Sequence, residues 1–385
     1  MPRITGRYEQ IEVGGERVAA FVPNTLPPHN PPLRLQGQLA ASRDSAEAAL
    51  ARLDLASRMV PSSGWLIYSL VRKEAVLSSQ IEGTQATLLD LLTHEAGAKP
   101  AAADEDVSEI CNYLDALQYA RHQLRSPNGL PVSLRLLNEA HRRLMTGARG
   151  GNKSPGEVRR IQNWVGGTRP GNAVFIPPPN QLVSNLLSDL ETYLHNANDL
   201  PPIVRAGLAH VQFETIHPYL DGNGRIGRLL IALLLDEWEL LEQPLLYISL
   251  YFRRHQMEYY RRLSAVRSEG DFEGWIDFFL EGVATVAKEA VGLITAMFEL
   301  VATDRAKVLS SGAASVSAAR LFEQLPHHPI ITIAGAVELL ETTKPTAAKA
   351  VGGLVDAGVL NETTGRRRDR VYSYSAYLDL LRADA

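Results

Sequence analysis

Two apolar helical stripes stand on either side of twelve residues that an ordinary core would not contain, and this juxtaposition limits the fold more than any other part of the chain. Upstream, Val204, Leu208 and Val211 recur at helical spacing. That helix should end near Thr215-Ile216, because Pro218 disfavours continuing it through His217. Downstream, Ile226, Leu229, Leu230, Leu233 and Leu234 repeat the pattern, so a second helix should begin close to Asn223. Between them runs His217-Pro218-Tyr219-Leu220-Asp221-Gly222-Asn223-Gly224-Arg225-Ile226-Gly227-Arg228. A helix, a tight loop and a helix N-terminus follow from this order.

The first-turn amides of such a helix have no intrahelical partners and its dipole favours negative charge, while glycines let a ligand approach the backbone. A phosphate is the natural occupant. Gly222, Gly224 and Gly227 also satisfy a bare G-x-G-x-x-G, but the dinucleotide fingerprint needs a preceding strand, and here the preceding element is a helix. No G-x-x-x-x-G-K-[ST] occurs either. Taken singly, a histidine before proline or an Asp-Gly pair is a turn and nothing more. The meaning lies in their order.

That order resembles the signature of the Fic (Fic/Doc) superfamily, His-Pro-Phe-x-Asp/Glu-Gly-Asn-Gly/Lys-Arg-x-x-Arg. His217, Pro218, Asp221, Gly222, Asn223, Gly224, Arg225 and Arg228 match it, and Tyr219 departs where the family usually has Phe. The change keeps the ring and adds a hydroxyl that needs a partner if buried. The resemblance implies transfer of AMP from ATP to a Ser, Thr or Tyr hydroxyl of a target protein. His217 would be the general base, a role that suits a group titrating near neutrality. Asp221 would hold Mg²⁺, a hard cation that prefers carboxylate and phosphate oxygens. Gly222, Asn223, Gly224, Arg225, Ile226, Gly227 and Arg228 would form the ATP site, with Arg225 and Arg228 three apart on one helix face and Arg228 on the γ-phosphate. Gly224, where Doc-like relatives carry Lys, favours AMP transfer over phosphotransfer.

A second stretch, Arg72 to Thr84, contains Ser78-Ser79-Gln80-Ile81-Glu82-Gly83. Gly83 is well placed to end a helix, and an acid at a helix C-terminus is disfavoured by the dipole. The family's inhibitory helix carries Ser/Thr-x-x-x-Glu-Gly/Asn, and Ser78, Glu82 and Gly83 match it. The resemblance therefore implies that Glu82 pairs with Arg228 and keeps that arginine from ATP.

The remainder of the chain fills in the organisation. Its 385 residues and net charge of −4 allow two or three domains with proper cores. No run approaches the 18 or so apolar residues of a membrane span, and the N-terminus shows no apolar signal core. Cys111 is the only cysteine, which excludes an intramolecular disulfide and makes a reducing cytoplasm the expectation. Proline pairs at 27–28 and 31–32 exclude helix until about Ser42. Further helices are expected around Asp104 to Gln123 and Ser133 to Met145. Glycines and alternating apolar residues from Trp164 to Pro179 read as a short β-hairpin. By resemblance this is a flap in which Val174, Phe175 and Ile176 align the target by strand pairing, and Tyr260 borders the adenine.

Around Ala302 to Ser315 small and polar residues suggest a linker. After it, helices at 318–324, 333–340 and 345–357, with Thr343 a candidate cap and strands at 359–361 and 370–374, read as a winged helix-turn-helix. Its tip is Gly365-Arg366-Arg367-Arg368-Asp369. DNA binding is not favoured, since Thr346 and Lys349 are nearly all that its second helix offers to bases; protein docking is preferred. The expected architecture is mainly α: an N-terminal arm and inhibitory region (1–100), a helical Fic core with a short β-hairpin flap (101–301) and the winged domain (316–385). The expected partners are Mg²⁺, ATP and a target protein, with self-modification and a homodimer also admitted. The alternatives are a nucleotide-responsive DNA-binding regulator and a Doc-type phosphotransferase.

Overall fold

The computed structural model describes residues 3–59, 64–147, 151–196, 199–310 and 315–383. An antiparallel hairpin opens it, β1 (Gly6–Val13) and β2 (Glu16–Pro23), turned by Gly14 and Gly15. Both glycines have positive φ, as a two-residue hairpin turn of matching twist requires. Val18 to Phe21 form the middle of β2. Helix α1 (Gln38–Met59) begins four residues before Ser42, since nothing after the second proline pair forbids it. Then come α2 (Gly64–Ile81), α3 (Leu88–Glu95), α4 (Asp104–Arg125) and α5 (Leu134–Leu144), the last capped by the Ser133 hydroxyl. After residues 151–179, mostly irregular, α6 (Asn180–His195), α7 (Pro202–Ile216) and α8 (Asn223–Glu237) form the centre. The short α9 (Ser249–Arg254) and α10 (Gln256–Ser268) lead into α11 (Phe272–Ser310).

Helix α11 overturns the expected linker. Its 39 residues, about 58 Å at 1.5 Å per residue, continue through 302–310, and only 311–314 of the expected linker lie outside the described residues. Alanines that suggest loosened chain are strong helix formers, and Asp304 and Val308 are buried where α11 packs on the C-terminal helices. Tyr374 donates its hydroxyl to Asp304 Oδ2 at 2.8 Å. The chain ends with α12 (Val316–Gln324), β3 (Ile330–Thr332), α13 (Ile333–Leu340), α14 (Lys344–Asp356), β4 (Asn361–Glu362), β5 (Val371–Ser373) and α15 (Ser375–Arg382). The strands form an antiparallel sheet of order β3-β5-β4. Strand β3 and helix α15 go beyond the expected elements, and Thr343 bonds the Thr346 hydroxyl at 3.0 Å instead of capping α14 through its side chain.

One apolar core runs through α1 to α15, with α1 laid along α11. A second, small cluster joins Val18 and Ala20 of β2 to Ile176. The mainly helical class is as expected.

Candidate active site

Helix α7 stops because His217 takes the left-handed conformation (φ 50°, ψ 62°), with its amide still bonded to the Phe213 carbonyl at 2.9 Å. A non-glycine residue adopts this conformation at a cost of about 1 kcal/mol or more, so the surroundings must hold it. Arg159 does so: its Nε donates to the His217 carbonyl at 3.0 Å, its Nη2 to the Pro178 carbonyl at 2.6 Å, and its amide to the Pro218 carbonyl at 2.9 Å. Burial lowers the Arg159 guanidinium to about 10.

The loop from Pro218 to Gly222 is cross-braced from within. Asn223 spans it, its Oδ1 accepting from the Tyr219 amide and its Nδ2 donating to the Tyr219 carbonyl, both at 2.8 Å. This side chain is therefore taken by the loop, which leaves its backbone to face a ligand. The additional hydroxyl of Tyr219 finds its partner in Asn138 Oδ1 at 2.8 Å. The Tyr219 ring stacks on His141 at 3.8 Å between centroids. Because the Gly156 amide donates to His141 Nδ1, His141 Nε2 carries the proton and donates to the Asp221 carbonyl at 3.0 Å. Burial lowers His141 to about 4, which keeps that neutral tautomer.

Helix α8 then starts from Gly222, left-handed at φ 76°, and no side chain caps it. Asp221 is exposed, and its Oδ1 accepts from the Gly222 amide at 2.6 Å. The carboxylate over this helix start is that of Glu82: a Cβ at Gly224 would lie 2.2 Å from Glu82 Oε1. Arg228, 1% exposed, gives Nη2 to Glu82 Oε1 at 2.7 Å and to the Ser78 carbonyl at 2.8 Å, and Nε to Ser78 Oγ at 2.9 Å. Gly83, at φ 98°, turns the chain away directly after Glu82. Burial pushes the Glu82 carboxyl up, but the Arg228 charge and hydrogen bond outweigh it and leave it below the usual range. The same carboxylate holds the Arg228 guanidinium above its ordinary value against its own burial.

The two arginines of the signature part company. Arg225 turns toward α4, with Nη1 at 3.5 Å from Glu109, and its Nε and Nη1 are buried without a hydrogen-bond acceptor. Burial first, then the nearby charge of Arg159, lowers His217 to about 4, while the Glu82 charge acts in the opposite direction. Ile226 is core, and Tyr260 is 47% exposed at the margin, its hydroxyl raised by burial and by Glu82. Gly227 is needed by Glu214, whose Oε1 would lie 2.2 Å from a Cβ there; burial raises that carboxyl to about 7. His210 takes the Nδ1–H tautomer, donating to the Gly227 carbonyl at 2.9 Å and accepting from the Tyr259 hydroxyl at 2.8 Å.

The flap departs from expectation. A regular hairpin is absent; a single bridge joins Val165 and Phe175, because the glycine pair 166–167 at positive φ and a 3₁₀ turn at Pro170–Asn172 take up the chain between. The amides of Val174 and Phe175 both point to the Val165 carbonyl, and the Ile176 carbonyl accepts from the Phe21 amide of β2 at 3.0 Å. The β1–β2 hairpin thus backs the flap, helped by the Arg169–Glu16 ion pair. Val174 is 80% exposed, whereas Ile176 is buried. Most of the main-chain pairing capacity of 174–176 is already used.

Arg159, His141, Asn138, Asn163, His210 and Glu214 were not singled out from sequence. Asn163 Nδ2 bonds the Tyr219 carbonyl at 2.9 Å. Only the flanking of the signature by polar residues at 210 and 214 offered a signal.

Residues 41–122 match the Fic/DOC family N-terminal region and residues 131–235 the Fic/DOC family itself. Among curated relatives, the protein adenylyltransferase Fic of Culex quinquefasciatus is 32% identical over 182 residues, 46% of this chain and 32% of that protein. The protein of the same name from Drosophila grimshawi is 32% identical over 209 residues, 52% of this chain and 39% of that protein. The chain thus spans only about a third of the length of these relatives. A crystal structure of a Fic family protein from Desulfovibrio desulfuricans superposes with a TM-score of 0.57 at 20% identity, covering 89% of this chain and 97% of the other. Residues 134–508 of Fic-1 from C. elegans superpose with a TM-score of 0.51 at 21% identity, covering 67% and 74%.

Proposed function

Since this chain belongs to the Fic/DOC family, we propose that it is a protein adenylyltransferase that moves AMP from ATP to a hydroxyl of a target protein and is held inactive by Glu82. The observation that carries the reading is the Arg228–Glu82 contact of 2.7 Å, laid over the uncapped start of α8. A carboxylate there uses the dipole and the arginine that a polyphosphate would use. The buried Nε of Arg225 adds a donor without a hydrogen-bond acceptor, and a phosphate oxygen would supply it.

In the reaction, His217, neutral at physiological pH, takes the proton of the target hydroxyl as its oxygen attacks the α-phosphorus. The bond to the pyrophosphate oxygen breaks, and the new phosphodiester joins AMP to the target. The amides of residues 222–224 and the two arginines stabilise the phosphoryl charge, which is usually the largest catalytic contribution. Tyr260 borders the adenine, and Val174 and Phe175 guide the target through their side chains. Asp221 suits Mg²⁺: its carboxylate is exposed and only Oδ1 is engaged. Among the described residues no cluster of three or more such ligands occurs, and one carboxylate completed by phosphates and water is the usual Mg²⁺ arrangement. When bound, the ion would neutralise the departing pyrophosphate. The described residues contain no helix long and apolar enough to cross a membrane, and with one cysteine the cytoplasm is the proposed location.

The test is incubation of wild type, Glu82→Gly and Glu82→Gly/His217→Ala with Mg²⁺ and ATP labelled on the α- or the γ-phosphate. Label from α alone, strong in the single variant and lost in the double, is expected. Label from γ alone would replace AMP transfer by phosphotransfer.

A further inference from the structure

A cleft of about 1400 Å³ lies between α3 and the C-terminal region, away from the nucleotide site. Leu89 and Thr93 of α3 and the following Gly97–Lys99 form one wall; α13, α15 and the loop between β4 and β5 form the other. That loop places Arg366, Arg367, Arg368 and Arg370 in the lining. Lys99, Lys344 and Arg382 join them, so seven cations (four plus three) face the three carboxylates Glu338, Asp369 and Asp379. Arg370 gives its Nε to the Arg366 carbonyl at 2.8 Å. No salt bridge involves any of the seven among the described residues. Like charges gathered against a low-dielectric wall repel one another and concentrate a positive potential that an anionic partner relieves. The wall itself is aliphatic: Leu89 is 40% exposed, and Ile333 and Val337 are half-buried.

We infer that this cleft docks an acidic, amphipathic protein segment, its carboxylates on the arginines and its aliphatic side chains on Leu89, Ile333 and Val337. The combination decides between polyanions. A sugar–phosphate backbone has no aliphatic side chains to bury there, and single strands are held by stacking bases on exposed aromatic rings. Tyr372, the one aromatic residue of the lining, is itself buried. That the docked segment belongs to a modification target rests on the adenylyltransferase reading; the binding does not.

Fluorescence anisotropy without ATP tests the inference. The probe is a short fluorescein-labelled peptide alternating leucine and aspartate, compared with a serine–aspartate peptide and a single-stranded oligonucleotide of equal charge. The leucine–aspartate peptide is expected to bind most tightly. Its affinity should fall roughly tenfold in Arg366→Ser/Arg367→Ser/Arg368→Ser, whose changes lie in an exposed loop and should leave the melting temperature unchanged, and again in Val337→Asp. Absence of binding, wild-type affinity in both variants, or tighter binding of the oligonucleotide would each overturn it. Because no nucleotide is present, the cleft can fail while AMP transfer stands, and the reverse.

Discussion

Arg228 is buried with three contacts from Ser78 and Glu82 at the end of α2, and the one to the Glu82 carboxylate stands where the proposed phosphate would. Removing one should loosen the others. Ser78→Ala leaves Arg228 Nε without its partner at 2.9 Å, and a hydrogen bond to a charged group contributes about 1.5–3 kcal/mol. Basal AMP transfer is expected to rise roughly tenfold, less than in Glu82→Gly, measured by label incorporated from α-labelled ATP. His217 gives a second expectation. A general base acts unprotonated, and a pKa lowered from 6.5 to about 4 keeps it so as pH falls. Removing Glu82 takes away an influence that raises it. The kcat/KM of Glu82→Gly should therefore stay level from pH 8 down to about pH 5, and an acid limb near 6.5 would contradict the assigned environment.

The turn between α7 and α8 is rigid because Arg159, from a segment with no secondary structure of its own, binds two of its carbonyls with amide and side chain together. Arg159→Ala is expected to lower stability by about 2–4 kcal/mol, since it orphans buried carbonyls. It should also reduce AMP transfer in the Glu82→Gly background, read from thermal melts and labelling in parallel. Arg159→Lys should not restore either, for an ammonium cannot reach His217 and Pro178 in one plane. The termini of α7 and α8 were legible because Pro218 and the apolar spacing are local signals, whereas the Glu82–Arg228 contact was expected from the family resemblance alone. Arg159 and His141 were not, because their partners lie 58 and 80 residues away and nothing in their own neighbourhood marks them. The flap failed for a related reason: alternation suggested two strands, but glycine and proline turns consumed them and the pairing went to β2, far away in sequence. Helix α11 was cut short because small residues suggest loose chain when the contacts that bury Asp304 and Val308 are out of view.

Helix α2, which leads into Glu82, is also fastened at its other end. Ser69 Oγ lies 2.9 Å from the Tyr377 hydroxyl, and Trp65 packs on the Tyr377 ring at 6.1 Å. Helix α2 and the Glu82 directly after it thus touch α8, while Trp65 and Ser69 at its other end touch α15, and α11 connects the central helices to the C-terminal ones. Tyr377→Ala should lower the melting temperature, as a buried aromatic is lost at about 3–5 kcal/mol. It should also raise basal AMP transfer several-fold, because α2 loses a contact that holds the end opposite Glu82. A lower melting temperature with unchanged basal transfer would separate the two ends of α2.

Glu82 and Arg228 stand 146 residues apart, and the glutamate comes first. During synthesis, which proceeds from the N-terminus at about 5–20 residues per second, α2 leaves the ribosome well before α8 exists. By the time the arginine is made, the carboxylate that pairs with it is already waiting, so under the proposed inhibition a newly made molecule need never pass through an uncontrolled interval.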